Sequence, residues 1–267
     1  MLSVIKRNPE VSMNKNICSA GLSGSTLKLI AIITMFIDHT GATVIRAVLR
    51  LPSVANDAAL REIWASIYTL SRNIGRLAFP IFCFLLVEGF FHTRSVRKYA
   101  QRLFLFSLLS EIPFDIALKG SWFFPEKQNV YFTLLAGLLV MIGLSCVERL
   151  VGKMTKLSVI TCTLLRILLA IPVIAAGMYL ADVLDTDYNY KGVLLIAILY
   201  LLHQNRLSQC AAGAAAVAWE LPAPLAFLPV YLYNGKRGLQ MKYVFYWFYP
   251  VHLMLLYGIT AYVIPLL

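Results

Sequence analysis

An all-α, polytopic membrane bundle of about nine spans is the fold class this sequence predicts, and three observations predict it. Sixty per cent of the 267 residues are hydrophobic and only 14% are charged, with a mean hydropathy of +0.73. A soluble domain needs far more polar surface than that. The apolar residues gather into runs that approach the length needed to cross a ~30 Å hydrocarbon layer at ~1.5 Å per residue. The basic residues fall as short clusters between those runs, so the net charge of +11 reads as basic cytoplasmic loops and not as a nucleic-acid groove.

Taken in order, residues 1–26 are a polar cytoplasmic arm and residues 27–267 form one transmembrane domain. The first span is Leu27–Leu49. A loop, Arg50–Arg61, and a short apolar piece, Ile63–Leu70, lying in the interface, lead to a second span at Asn73–Phe91. Further spans follow at Leu103–Leu118, Val130–Cys146, Leu157–Ala181 and from Tyr190 to His203. Ala211–Trp219 and Leu225–Tyr233 are short and marginal, and Tyr243–Val263 is the last span. The groups after spans two, four, six and eight are basic: Arg94/Arg97/Lys98, Arg149/Lys153/Lys156, Arg206, and Lys236/Arg237/Lys242. The positive-inside rule then places the N-terminus in the cytoplasm and the C-terminus outside, although Arg46, Arg50 and Arg61 run against the alternation. Five cysteines lie scattered without CxxC spacing. Small packing residues are the reading, and no bound metal is expected. Cys18 follows no apolar run, which argues against a signal peptide.

The first span carries the chemistry. It opens as an ordinary transmembrane helix with Lys28 at its mouth, then places Asp38 and His39 side by side well inside. Ionisable groups at that depth cost several kcal/mol and persist mainly where they line a pathway or react. His252 falls at a similar depth in the last span. A histidine titrates near neutrality and can take a proton from an attacking amine or hydroxyl; the structural alternative is a hydrogen bond to a neighbouring helix. Asp38 cannot face His39, because helix neighbours point about 100° apart, so a cation on another helix is expected to pair with it, Arg76 or Arg166 being candidates. Glu111 and Asp115 share one helix face with Pro113 between them, so one of them should be protonated or matched by a cation such as Arg76. They read as a proton relay or as a helix-end network. Glu88 and His92 have salt-bridge spacing. Lys236 and Arg237, in a Gly-flanked loop, are suited to phosphates or to setting topology. No Walker A, GxGxxG, GxSxG or HExxH occurs, which leaves nucleotide hydrolysis, dinucleotide redox and zinc proteolysis without support.

Seven of these segments, KLIAIITMFIDHTGA, NIGRLAFPIFCFLLVEGFFHTR, SEIPFD, QNVYFTLLAG, YNYKGVLLI, YNGKRG and FYWFYPVHLMLLY, together resemble the TraX family, whose founding member is the conjugative-pilin acetylase of bacterial inner membranes. The resemblance runs from about Lys28 to Tyr257. It implies transfer of an acetyl group from acetyl-CoA to an amine or hydroxyl acceptor, in the founding case the amino terminus of pilin. It carries over Asp38, His39, Gly75, Arg76, Pro80, Asn129, Tyr190, Gly192 and His252. VEGFFHTR and SEIPFD look closer to a chromosomal branch that need not act on pilin, so the acceptor is either a protein or a surface glycan. The expected set is therefore His39, Asp38, His252, Arg76, Glu111 and Asn129 for catalysis, with Arg76 or Asn129 on the oxyanion. Lys236, Arg237 and Tyr190 are expected to hold acetyl-CoA. The competing readings are a proton-coupled transporter and a non-catalytic assembly factor.

Overall fold

The computed structural model describes residues 21–155, 157–239 and 242–266. Residues 1–20 of the expected arm, with Cys18, lie outside the described residues, as does Lys156 of the second basic group. Among the described residues all regular elements are helices. Helix α1 (Gly24–Thr40) starts three residues before the expected span because Ser23 caps it, its hydroxyl accepting from the Thr26 N–H. A π-helical turn, Gly41–Ile45, carries the same rod on to Val48, 25 residues in all.

The next segment differs from expectation. Asp57 accepts from the Ala59 and Leu60 N–H groups at 2.9 and 3.0 Å and so starts α2 (Ala58–Gly75) inside what reads as a loop. With no Pro or Gly before Gly75, nothing stops that helix. It runs through a brief turn at Arg76–Leu77 into α3 (Ala78–His92). Arg61, Glu62 and Arg72 dilute the apolar signal of α2, which is why it reads as a loop plus an interfacial piece.

Then come α4 (Val96–Phe114), ending in a π turn at Asp115–Lys119 two residues beyond Pro113, α5 (Val130–Gly152), α6 (Val159–Val183), α7 (Asn189–Leu201), α8 (Arg206–Ala216), α9 (Phe227–Tyr231) and α10 (Lys242–Gly258), continued to Leu266. Among the described residues five stretches are long and apolar enough to cross a membrane: Gly24–Val48, Ala58–His92, Val130–Gly152, Val159–Val183 and Tyr243–Leu266. The two marginal spans prove short. At ~1.5 Å per residue α8 reaches ~17 Å and α9 ~8 Å, so neither crosses a ~30 Å layer alone.

Close packing relies on missing side chains. A Cβ on Gly137 would overlap Ile196, and one on Gly177 would overlap Val140, so α5, α6 and α7 meet backbone to side chain as helices in lipid do. The outer face of α6, with Val159, Ile160, Leu164 and Leu168 all exposed, suits lipid.

The bundle has two chemically distinct ends. At one, Arg206 stacks over Phe84 and Tyr233 and reaches Glu88 at 3.4 Å, while Tyr200 donates to Glu148. The expected Glu88–His92 contact is there at 3.9 Å. The Gly24 and Ser25 N–H groups of α1 donate to the carbonyls of Lys236 and Arg237. At the other end, Asp38, Gly75, Glu111, Asn129, Tyr188, Glu220 and His252 gather.

Candidate functional site

The two histidines singled out in the sequence meet. His39 Nδ1 and His252 Nε2 lie 2.6 Å apart although 213 residues separate them in the chain. The rings are inclined by only 6° with centroids 4.9 Å apart, so they join edge to edge in nearly one plane and do not stack face on face. His252 Nδ1 sits 2.7 Å from the Phe248 carbonyl oxygen one turn earlier on α10. A carbonyl can only accept, so that nitrogen carries the hydrogen. In the neutral pair His252 Nε2 is then a lone pair, and His39 Nδ1 donates to it. The consequence is specific: His39 presents its own lone pair at Nε2, and no hydrogen bond engages that atom among the described residues. Phe248 stacks on His252 at 4.7 Å, and Tyr249 meets both imidazoles edge-on at 5.9 and 5.7 Å. Such a collar fixes the rings and limits water around them.

Asp38 finds a cation other than the two expected. Its Oδ2 accepts from Arg72 Nη1 at 2.7 Å. Arg76 turns to Glu220, Nη1 to Oε1 at 2.5 Å, and Arg166 lies exposed on the outer helix α6. Arg72 is one turn before Arg76, just beyond the sequence-read start of the second span at Asn73. The close approach is possible because position 75 is glycine: a Cβ there would overlap Asp38 Oδ1, Cγ and Cβ.

Asp38, Arg72, Arg76, Asp187, Tyr190 and Glu220 border a cavity of about 420 Å³ on the Asp38 face of α1, and neither His39 nor His252 is among its lining residues. Burial pushes the Asp187 carboxyl above the usual carboxylate range, against the pull of Lys127, Arg72, Lys119 and Arg76. Glu220 is likewise raised by burial, with Arg76 opposing.

The acid–amide group on α4 and α5 is a third cluster. Glu111 Oε2 accepts from the Asn129 side-chain amide, and Asn129 also donates to the Ser107 carbonyl at 2.8 Å. Its Oδ1 caps α5 through the Tyr131 N–H at 3.0 Å. Both amide hydrogens and the amide oxygen are therefore occupied, which leaves Asn129 no donor for an oxyanion. It fixes the start of α5. Asp115 Oδ2 accepts from the Phe124 N–H at 2.7 Å, the helix-end role. The cation expected for Glu111 and Asp115, Arg76, is bound elsewhere.

The three residues expected to hold acetyl-CoA are divided. Lys236 and Arg237 lie at the Gly24 end of α1, ~22 Å along the axis from His39 at ~1.5 Å per residue. Tyr190 borders the cavity at the opposite end of α7 from Leu201 and Arg206. Arg72, Asp187 and Glu220 join the site without having been singled out. The one signal for Arg72 is its spacing, four residues before Arg76 on one helix face.

The TraX protein family profile matches residues 23–260. A curated relative, the probable fimbrial assembly protein FimC, serogroup H1, of Dichelobacter nodosus, is 32% identical over 255 residues, covering 91% of this chain and 97% of the relative. No solved structure matches the chain. With nearly its whole length matched by the profile, and the matched region holding both histidines, this chain belongs to the TraX family.

Proposed function

We propose that this protein is a membrane acetyltransferase that moves an acetyl group from acetyl-CoA to an amine or hydroxyl acceptor. The observation that carries the reading is the His39–His252 pair, whose neutral form leaves the His39 Nε2 lone pair available as a general base. In the reaction, the acceptor gives its proton to His39 Nε2 as its nitrogen or oxygen bonds to the thioester carbonyl carbon. The tetrahedral oxyanion draws on the N–H groups that Arg72 and Arg76 do not spend on Asp38 and Glu220. Collapse breaks the C–S bond, and the His39 imidazolium returns its proton to the leaving CoA sulfur. His252 accepts the hydrogen bond from His39 Nδ1 throughout.

In this reading Lys236 and Arg237 meet the phosphates of acetyl-CoA in the cytoplasm, with the pantetheine arm along α1. An odd number of passes, with α8 and α9 as a short paired excursion that returns to the side it left, puts the N-terminus inside and the cavity outside in a bacterial inner membrane. The relative's printed name, a fimbrial assembly protein, favours a second reading, an assembly factor without catalysis.

Purified protein in sealed proteoliposomes separates these. Labelled acetyl-CoA on the side where a thiol reagent reaches Lys236→Cys should yield free CoA and an acetylated acceptor or protein. Assembly activity in cells with no CoA release would leave the second reading. Proton-dependent solute flux without CoA release would make the protein a transporter.

A further inference from the structure

We infer that the cavity on the Asp38 face of α1 is a saccharide site, so that in the proposed reaction the acceptor is a sugar hydroxyl or sugar amine. The wall leaves several hydrogen-bonding groups unused. Among acceptors, Glu220 engages Arg76 through Oε1, which leaves its Oε2, and Asp187 makes no direct hydrogen bond or ion pair among the described residues. Among donors, Arg72 and Arg76 each engage their carboxylate through Nη1 only, and a guanidinium carries five N–H donors. The wall thus offers unspent donors and unspent acceptors side by side.

A phosphate, which mainly accepts, would leave the carboxylate oxygens unmet. An ammonium, which only donates, would leave the guanidinium hydrogens unmet and face two arginines. A hydroxyl does both, so a polyhydroxylated ring is the ligand that satisfies the wall.

Charge agrees with this. Three cations (Arg72, Arg76, Lys191) meet three carboxylates (Asp38, Asp187, Glu220) on the lining, so neither sign of formal charge dominates it. Three aromatic side chains line the site: Tyr188, stacked on Phe79, Tyr190, 42% exposed, and Trp219, 51% exposed, with Lys191 Nζ 3.8 Å over one face of the Trp219 ring. Such flat apolar faces beside polar groups suit the C–H face and the hydroxyl edge of one sugar ring. The cavity, about 420 Å³, is of the size that takes small ligands.

The inference rests on the acetyltransferase reading for what happens to the sugar, but binding is measured without acetyl-CoA. The full chain in nanodiscs is probed by saturation-transfer NMR and titration calorimetry. The probes are glucose, N-acetylglucosamine and their β-linked disaccharides, inorganic phosphate, and an alanine-rich hexapeptide with a free amino terminus. The disaccharides should bind, and phosphate and peptide should not. Asp187→Asn and Arg76→Gln should each weaken sugar binding roughly tenfold or more, the loss expected for one charge-assisted hydrogen bond. Should either variant misfold, Tyr190→Ala, at an exposed position, serves instead with the same direction. Peptide binding in preference to sugar, or no saturation transfer to any sugar, would overturn the inference and leave the wall to water. Sugar binding without CoA release would keep the site and sink the transfer chemistry. CoA release onto the peptide without sugar binding would do the reverse.

Discussion

His39→Gln should lose acetyl transfer by about 10²–10⁴-fold, the usual contribution of a positioned general base, while inserting and unfolding as the parent does. Glutamine keeps a hydrogen-bond donor toward His252 but has no useful basicity. The measurement is the rate of CoA release under saturating acetyl-CoA, set beside a thermal unfolding curve. His252 should respond differently. His252→Gln retains an acceptor for the His39 Nδ1–H and so should keep more activity than His252→Ala, which leaves His39 free to move its hydrogen to Nε2. An active His39→Gln protein would return the dyad to a structural helix–helix contact, the alternative that its sequence alone leaves open.

Gly75→Ala carries the second large effect. A methyl group there would overlap the Asp38 carboxylate and its Cβ, and because the Cβ is fixed to α1 the clash cannot be relieved by rotating a side-chain tip. Either α2 moves off α1 or Asp38 gives up Arg72. Overpacking of this kind costs about 1–3 kcal/mol, and the displaced Arg72–Asp38 pair should lower the transfer rate as well. Denaturant unfolding in mild detergent reads the first effect and CoA release the second. Unchanged values in both would mean that the helix crossing at Gly75 is looser than its packing implies.

Much of this was legible in the sequence because depth in a membrane follows from counting residues along a helix. His39 and His252 stand out as ionisable groups far inside apolar spans, and counting alone places them at similar depth. What counting cannot supply is rotation, so the direct contact between the histidines and the partner of Asp38 are visible only once α1, α2 and α10 are packed. Arg72 was hidden for a further reason: charges along Ala58–Gly75 lower its hydropathy, so the span read from hydropathy begins at Asn73 and leaves Arg72 in a linker. Asp187 and Glu220 lie in the turns after α6 and α8, where sequence gives a charge but no neighbour. Asn129 shows the opposite error. It stands out as polar beside a span, yet its amide is spent on Ser107, Glu111 and the first turn of α5. The short α8 and α9 also depart from simple counting, since their apolar composition suggests spans that their helix lengths do not reach.

General-base catalysis by His39 requires that its Nε2 be the bare nitrogen. Nitrogen-15 NMR of histidine-labelled protein in nanodiscs at neutral pH reads this directly, with His39→Gln and His252→Gln used to assign the signals. The expected result is a hydrogen on Nδ1 of both imidazoles and an unprotonated Nε2 on each, that of His252 hydrogen-bonded and that of His39 not. A hydrogen on His39 Nε2 in the resting protein would contradict the account, because the atom assigned to receive the acceptor's proton would already hold one.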